Sequence, residues 1–225
     1  MHGVDVGGYA YGFWSIVFFN TLLVLFFILS FIKPKKKLEW RSMGAFIGFI
    51  VALFTEMYGF PLTIYLLSSW LGSKYPVFDP FSHSSGHLVL VLLGLSHSVI
   101  AMSLLHIVTN GIIIFGFYII YKGWKLIHDA AEDHLVSEGI YAKIRHPQYA
   151  GLFLITIGFL IQWPTLTTLF LWPILMFAYY RLSMREEKSL QEKFGQTFVE
   201  YKHRVPAFIP RRKKQLADQE TEFAS

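Results

Sequence analysis

The chain has 225 residues, of which 54% are hydrophobic, 18% aromatic and only 16% charged, with a formal net charge of +5. Soluble domains carry about 25% charged residues, so the composition predicts a membrane protein and excludes an ordinary soluble domain. Cysteine is absent, which excludes disulfides and a thiolate nucleophile. The positive charge does not predict binding to nucleic acid, because its distribution along the chain is explained by membrane topology.

Four apolar stretches predict the membrane-spanning part, since a spanning helix needs about 20 apolar residues. They are residues 11–32, residues 43–71, residues 98–121, and the pair 149–162 and 165–181. The two members of that pair are short and are separated by Gln162-Trp163-Pro164, which predicts a tight helical hairpin. We therefore expect an all-α integral membrane protein with about five spanning helices. A short or re-entrant segment at 87–95 is left open.

Lysine and arginine residues are divided unequally between the two sides of these helices. Residues 33–41, 122–145 and 181–214 hold 19 of the 20, and Lys74 alone lies in the other loops. By the positive-inside rule, the N-terminus is predicted outside and the C-terminus in the cytoplasm. Basic residues follow the first apolar segment and do not precede it, so we expect no cleavable signal peptide.

The pattern predicts three parts. Residues 1–121 would supply about three membrane helices, which form an accessory wall for the substrate. Residues 122–210 would form a cytoplasmic connector with a turn at Glu138-Gly139, the helical hairpin, and an amphipathic helix over 176–203. Helical spacing of its apolar residues indicates that last helix: Leu190, Phe194, Phe198 and Tyr201. The polar residues 211–225 predict a disordered tail.

Charged and aromatic side chains lie at the entrance to the predicted hairpin, where they are costly next to lipid. The run Arg145-His146-Pro147-Gln148-Tyr149 opens the hairpin, and Tyr141 comes one turn earlier. Anchoring at the membrane interface explains each of these residues separately. The run taken as a unit favours a functional site.

A second charged group follows the hairpin, where Arg181 and Arg185 precede Glu186 and Glu187. One interpretation is a solvated helix with paired charges. The other is a site for a zwitterion with an amino-acid end, whose carboxylate would bind arginine and whose ammonium would bind glutamate. Both interpretations are compatible with the residues alone.

Glu56 is the only acidic residue well inside the apolar stretches. In the middle of the second predicted helix its carboxyl group would be costly. It would either form a hydrogen bond to a neighbouring helix or take a role on the substrate side.

The outer histidines are His83, His87, His97 and His106. We expect loop and interface histidines rather than a metal site, because Ser84-Ser85-Gly86 interrupts the first pair and no carboxylate cluster accompanies them.

These motifs resemble the isoprenylcysteine carboxyl methyltransferase family, part of a wider phospholipid methyltransferase group. The resemblance extends from Leu135 to Pro210, and the first hundred residues carry no comparable motif. The matching positions are Leu135-Val136, Gly139, Tyr141, Arg145 to Tyr149, Gly151, Glu186-Glu187, Phe194-Gly195, Tyr201, Val205-Pro206 and Pro210.

The resemblance implies an enzyme that uses S-adenosyl-L-methionine, bound on the cytoplasmic side between the hairpin and the C-terminal helix. By position, Leu135 and Val136 would line the adenine pocket, and Glu186 would bind the methionine amine. The nucleoside would be held by Tyr141, His146 and Tyr149. The full set of candidate cofactor-binding residues is Leu135, Val136, Tyr141, His146, Pro147, Gln148, Tyr149, Glu186 and Glu187. The candidate catalytic arginines are Arg181, Arg185 and Arg145.

The acceptor is predicted to be a lipophilic acid. Aromatic rings attract a sulfonium cation, and an apolar site favours carboxylate attack on it, because two opposite charges disappear together. We expect carboxyl O-methylation of an isoprenylcysteine-like or other lipid acid, with membrane lipids as the surroundings. Alternatives are a phospholipid or amine N-methyltransferase and an NADPH-dependent reductase of the sterol reductase type. A non-catalytic scaffold does not explain the paired motifs.

Overall fold

The structure is a computed structural model that describes residues 11–32, 37–75, 78–130 and 134–211. These residues form helices, turns and loops and contain no strand, so the predicted all-α fold is confirmed for them. The helices are α1 (Trp14–Phe31), α2 (Lys37–Phe54), α3 (Leu62–Lys74), α4 (Leu88–Leu92), α5 (Val99–Asp129), α6 (Pro147–Gln162), α7 (Leu166–Phe194) and α8 (Gln196–Arg204). Apart from Arg211, the predicted disordered tail lies outside the described residues.

Three of the described helical segments are long and apolar enough to cross a membrane, namely Trp14–Phe31, Ser42–Gly59 and Val99–Asp129. Helix α6 is apolar but has 16 residues. It rises about 24 Å, compared with a hydrocarbon core of about 30 Å. The described residues therefore include three candidate membrane helices, and the count of five spans remains a prediction.

The second apolar stretch is two helices, and the prediction of one helix was wrong. α2 ends at Phe54, a π-helical turn follows over Thr55–Gly59, and α3 begins at Leu62. Pro61 has no N–H to donate and forces the preceding residue out of the helical region. Phe60 is accordingly extended, with φ −127° and ψ 114°. The segment left open at 87–95 contains α4, which is five residues long.

The predicted helix over 176–203 is likewise two helices. α7 runs without interruption from the hairpin to Phe194, and α8 follows after Gly195. Gly195 has a φ of +55°, a conformation that costs glycine little because it has no Cβ. The predicted turn at Glu138-Gly139 is confirmed, since Tyr141 N donates to the Glu138 carbonyl at 3.0 Å and Gly139 has a φ of +59°.

Helix ends gather at two levels of the bundle. Gly12 N donates to the Gly59 carbonyl at 2.9 Å, which joins the start of α1 to the end of the π-helical turn. Leu166 N donates to Thr63 Oγ1 at 2.8 Å, which places the start of α7 at the same level. We call this level the far end. The opposite level, where α6 begins at Pro147, is the site end.

Glycines allow α5 and α6 to pack with their backbones in contact. A Cβ on Gly116 would lie 2.7 Å from the Gly151 carbonyl oxygen, and a Cβ on Gly151 would lie 2.6 Å from the Gly116 carbonyl oxygen. Gly123 lies against Pro147 and Gly158 against Ile113 in the same interface. Small residues commonly bring membrane helices this close. The interface fixes the height at which α6 enters the site end.

Candidate functional site

Glu187 is the centre of a buried charge cluster at the site end. Its Oε1 accepts hydrogen bonds from Arg145 Nε at 2.9 Å and Nη2 at 2.7 Å, and lies 3.0 Å from His146 Nε2. Lys202 Nζ lies 2.7 Å from its other oxygen. The Glu187 side chain is 2% exposed. Its cationic partners therefore replace water, and a buried carboxylate without them would be strongly destabilising.

The charges of this cluster shift the pKa values of its members. Burial alone would raise the pKa of Glu187, but hydrogen bonds from His146, Lys202 and Arg145 and the charge of Arg145 lower it to about 2. Burial alone would lower the pKa of His146, but hydrogen bonds to Glu186 and Glu187 and their charges raise it above its ordinary value. The cluster therefore stabilises a carboxylate and favours an imidazolium beside it.

Glu186 has a different environment from its neighbour. Its side chain is 39% exposed, and Oε2 lies 3.6 Å from His146 Nδ1. Tyr149 OH donates a hydrogen bond to Oε1. His146 thus directs one ring nitrogen towards each acid. Since Glu187 is enclosed by three cationic side chains and Glu186 is open to solvent, Glu186 is the carboxylate that a positively charged ligand can reach.

Residues 205–210, which we call the strap, pass directly beside the start of α6. Arg145 N donates to the Pro206 carbonyl at 2.9 Å, and His146 N donates to the Ala207 carbonyl at 3.0 Å. The Phe208 ring lies 5.6 Å from the His146 ring and 5.5 Å from the Phe153 ring, between centroids. The strap therefore places an aromatic ring beside the imidazole at the start of α6.

Arg145 donates hydrogen bonds both to Glu187 and to the backbone at the start of the strap. Its Nη1 donates to the Lys202 carbonyl at 3.0 Å and also to the Val205 carbonyl, and its Nε and Nη2 donate to Glu187. Four of the five N–H donors of the guanidinium are thus occupied within the protein. Arg145 joins α6, α7 and α8, and it has little capacity left for a ligand.

A cavity of about 230 Å³ lies next to the charge cluster. Leu135, Val136 and Tyr141 contribute one wall, and apolar side chains of α7 and α8 contribute the other. Tyr201 OH donates to the Tyr141 carbonyl at 2.8 Å, which holds the two walls together. The cavity floor is Arg145, His146 and Glu187. An apolar slot with a charged floor suits a flat, partly polar ring system.

The structure therefore brings most of the predicted cofactor-binding residues together. Leu135, Val136, Tyr141, His146 and Glu187 line the cavity, and Tyr149 and Glu186 form a hydrogen-bonded pair next to His146. Pro147 is buried in the first turn of α6, where its ring lies against Gly123, and Gln148 is half-buried. Pro147 and Gln148 are thus placed at the helix start rather than in the cavity wall.

Arg181 and Arg185 lie outside this group. Both are exposed, and neither lines the cavity. The Arg181 guanidinium lies 5.8 Å from the centre of the Phe177 ring, one turn earlier on the same helix. With 3.6 residues per turn, both arginines face away from the side of α7 that carries Glu187. The structure places them at the surface where α7 leaves the apolar part of the bundle.

Glu56 is at the far end and not in the middle of a helix, as the sequence had suggested. It lies in the π-helical turn, it is buried, and its Oε2 accepts a hydrogen bond from Thr63 N at 2.8 Å. This bond caps the start of α3 after the break at Pro61. Thr63 in turn contacts Leu166, and the helical rise along α7 separates Leu166 from Glu187 by about 30 Å.

The outer histidines join loops to the hairpin. His87 Nδ1 lies 2.8 Å from the Gln162 carbonyl oxygen, and the His83 ring lies 4.5 Å from the Trp163 ring. Within the described part of the chain, no group of three or more histidine, cysteine, aspartate or glutamate side chains is arranged to hold a metal. The geometry is that of packing residues at the α6–α7 turn.

Sequence reasoning missed three residues of the site end: Lys202, Phe208 and Tyr179. Lys202 resembles any solvated lysine of an amphipathic helix, so no signal was available. Phe208 stands between Pro206 and Pro210, and this bracketing by prolines is typical of a fixed extended segment. Tyr179 lies within an apolar stretch and resembles a core residue.

Comparison with known proteins finds similarity in this region. Residues 88–197 match the phospholipid methyltransferase family. The resemblance inferred from the motifs is confirmed. The chain is 32% identical over 81 residues to protein-S-isoprenylcysteine O-methyltransferase of Schizosaccharomyces pombe, 31% over 88 residues to protein-S-isoprenylcysteine O-methyltransferase B of Arabidopsis thaliana, and 38% over 81 residues to the Saccharomyces cerevisiae protein.

These alignments cover 35%, 38% and 35% of this chain, and 34%, 45% and 34% of the respective relatives. The similarity to the curated relatives therefore spans less than half of their length. The matched family region begins at Leu88, includes the whole helical hairpin and both acids, and ends near the start of α8.

Proposed function

We propose that this protein is an integral membrane methyltransferase that transfers a methyl group from S-adenosyl-L-methionine to a lipophilic carboxylic acid. The observation that supports the proposal best is the placement of Tyr149, Glu186 and His146 beside a small apolar cavity, inside the region that matches the phospholipid methyltransferase family. The relatives are named isoprenylcysteine O-methyltransferases. A prenylated cysteine is therefore the acceptor we favour.

The donor fits the site in two parts. Leu135, Val136 and Tyr141 would hold the adenine ring in the cavity, and His146 at its floor would face the ribose. Glu186 would bind the ammonium of the methionine portion, because it is the accessible carboxylate of the pair. Bound there, S-adenosyl-L-methionine supplies an electrophilic methyl group on a positively charged sulfur. The Tyr149 and Phe208 rings lie close enough to His146 to surround such a cation.

The acceptor would approach from the bilayer side of the cluster. In the transfer, a carboxylate oxygen forms a bond to the methyl carbon, the carbon–sulfur bond breaks, and its electron pair remains on sulfur. The products are a methyl ester and S-adenosylhomocysteine, and no proton needs to move. Protein groups must then hold the carboxylate and exclude water. Aromatic rings at Tyr149, Phe153, Tyr179 and Phe208 provide such surroundings.

The three candidate arginines receive different roles in this proposal. Arg145 is a positioning residue, since four of its donors hold Glu187 and the strap. Arg185 and Arg181 would act at the membrane surface, where their exposed guanidinium groups can meet an acceptor carboxylate or lipid phosphates. Glu187 organises the cluster and would not contact the donor directly. Glu56 caps α3 and receives no part in the chemistry.

The membrane arrangement is proposed as five crossings with the site end in the cytoplasm. Helices α1, α2 and α5 are the three clear candidates, and the α6–α7 hairpin would add two shorter crossings. Residues 1–121 would then form the wall along which a lipophilic acceptor diffuses, and residues 122–210 the catalytic region. The division of basic residues supports the N-terminus outside and the C-terminus inside.

An amine N-methyltransferase is the second candidate, because the family that residues 88–197 match is described by phospholipid methylation. The two candidate functions differ in the acceptor, which is a carboxylate in one and an amine in the other. An amine nucleophile keeps the total charge constant in the transition state, whereas a carboxylate neutralises the sulfonium. An apolar site therefore favours the carboxylate more.

The test uses the purified full chain in lipid nanodiscs. Calorimetric titrations with S-adenosylhomocysteine and with NADPH identify the cofactor, and transfer of a labelled methyl group identifies the acceptor. We expect binding of S-adenosylhomocysteine only, and base-labile label on N-acetyl-S-farnesylcysteine that exceeds label on phosphatidylethanolamine. A shorter S-alkyl cysteine should be a poorer acceptor at subsaturating concentration, by about 0.8 kcal/mol for each methylene removed. Binding of NADPH alone would assign the protein to the reductases.

A further inference from the structure

The hydroxyl group of Tyr179 is buried without a hydrogen-bond partner. Tyr179 is 1% exposed, and its Oη has no partner among the described residues. Buried polar groups in folded proteins are nearly always paired, because an unpaired one loses water without replacement. A phenol at this position is therefore costly, and a phenylalanine would fill the same space without that cost. The position calls for a ligand that uses the hydroxyl.

Tyr179 lies next to the proposed donor site on its membrane side. It is on α7, seven residues before Glu186, so the two side chains share one face of the helix at a separation of about 10 Å. Its ring centroid lies 5.1 Å from that of Tyr149, whose hydroxyl donates to Glu186. It also lies 6.3 Å from the Phe153 ring. The Tyr179 ring is therefore packed against the tyrosine that carries the hydrogen bond to Glu186.

The other buried side-chain oxygens that form no hydrogen bond within the described residues are placed differently. Tyr11 OH precedes α1, and Glu56 Oε1 lies in the π-helical turn, so both are at the far end. Glu187 Oε2 has Lys202 Nζ at 2.7 Å. Thr21 lies on α1. Of the residues that carry these atoms, Tyr179 is the one whose ring contacts the Tyr149 ring.

We propose that Tyr179 positions the acceptor by donating a hydrogen bond to one oxygen of its carboxylate, which leaves the other oxygen to attack the methyl group. A phenol suits this task because it donates without carrying a charge. A cation at the same place would neutralise the carboxylate and repel the sulfonium. The inference rests on the proposed function, since it deepens the acceptor side of the same site.

The change Tyr179→Phe removes the oxygen and leaves the ring. We expect kcat/KM for N-acetyl-S-farnesylcysteine to fall 10- to 100-fold at saturating donor. The affinity for S-adenosylhomocysteine should stay within twofold of wild type, and the unfolding temperature should stay the same or rise. Tyr180→Phe is the matched control, because Tyr180 is the next residue on α7 and is 51% exposed. It should change none of the three quantities.

Each other outcome overturns the proposal in a distinct way. Unchanged kinetics with a higher unfolding temperature would show that the hydroxyl is an unused buried group. A loss of affinity for S-adenosylhomocysteine would assign the hydroxyl to the donor. If wild type itself neither binds S-adenosylhomocysteine nor transfers methyl groups, the proposed function fails whatever Tyr179 does. If wild type transfers methyl and Tyr179→Phe does so equally well, only the inference about Tyr179 fails.

Discussion

The two adjacent acids provide the sharpest test of the site, because the same change should lower stability at Glu187 and donor affinity at Glu186. Glu187→Gln removes the charge that Arg145 and His146 share. The Arg145 side chain is 10% exposed, and removing one partner of a buried pair costs about 3–5 kcal/mol. The lowered pKa of Glu187 has the same sign, because the carboxylate form is stabilised in the folded chain relative to the unfolded chain.

Such a loss should be visible as a lower unfolding temperature. For a chain of this size, about 1 kcal/mol moves the midpoint by roughly 2–4 °C, so Glu187→Gln should unfold roughly 6–20 °C below wild type. Glu186→Gln should unfold within about 2 °C of wild type, because exposed charges contribute little. Its affinity for S-adenosylhomocysteine should fall roughly 10- to 150-fold, since a hydrogen bond to a charged group contributes about 1.5–3 kcal/mol.

The assay is a pair of measurements on each variant in the same detergent: intrinsic tryptophan fluorescence on heating, and calorimetric titration with S-adenosylhomocysteine. Lys202→Met serves as the mild variant of the cluster if Glu187→Gln does not fold. The Lys202 side chain is 43% exposed, so its loss should cost no more than about 1 kcal/mol. Full donor affinity in Glu186→Gln, or wild-type stability in Glu187→Gln, would refute the division of roles.

Three further predictions follow from the fold and the cluster. Because the pKa of His146 is raised in the folded chain, protonated His146 contributes stability that is fully present below pH 6.5 and is lost as the pH rises through the raised pKa. The wild-type unfolding temperature should therefore fall as the pH rises above 6.5, and His146→Gln should remove this slope. Gly116→Ala should destabilise the protein through the contact with Gly151, whereas Gly111→Ala, which meets nothing within 4 Å, should stabilise it by up to about 1 kcal/mol. A cysteine at Ser225, unique in this chain, should react with an impermeant maleimide only after cells are permeabilised; labelling of intact cells would reverse the proposed orientation.

The membrane helices and the hairpin could be predicted because apolar length and proline are strong local signals. The breaks could not be placed in the same way. Pro61 lies inside the apolar stretch 43–71, and proline is tolerated in membrane helices when neighbouring groups satisfy the freed backbone. Pro173 is an example, since α7 continues through it. Only the tertiary structure shows that the helix is broken before Pro61 and that α7 continues through Pro173.

The site was predicted from motif order, which identifies residues but not their partners. Glu186 and Glu187 are equivalent in the sequence. Helix geometry separates them, because a rotation of about 100° between successive residues directs Glu187 into the cluster and leaves Glu186 at its edge. In the sequence, Arg145 resembles a ligand-binding arginine, because motif order does not show which groups it contacts. Its guanidinium instead donates to the carbonyl groups of Lys202 and Val205, which lie some 60 positions later in the chain.

The position of the strap gives a structural reason for the buried ion pairs at the site end of the bundle. Arg145 and His146 hold Pro206 and Ala207 through backbone hydrogen bonds, and Phe208 then covers the imidazole against Phe153. In the proposed function, the adenosyl part of the donor occupies the cavity lined by Leu135, Val136 and Tyr141, and the prenyl chain of the acceptor lies in the bilayer. The Phe208 ring, fixed beside His146, would then stand between the two ligands. The buried ion pairs therefore act indirectly, by fixing the backbone that carries this ring.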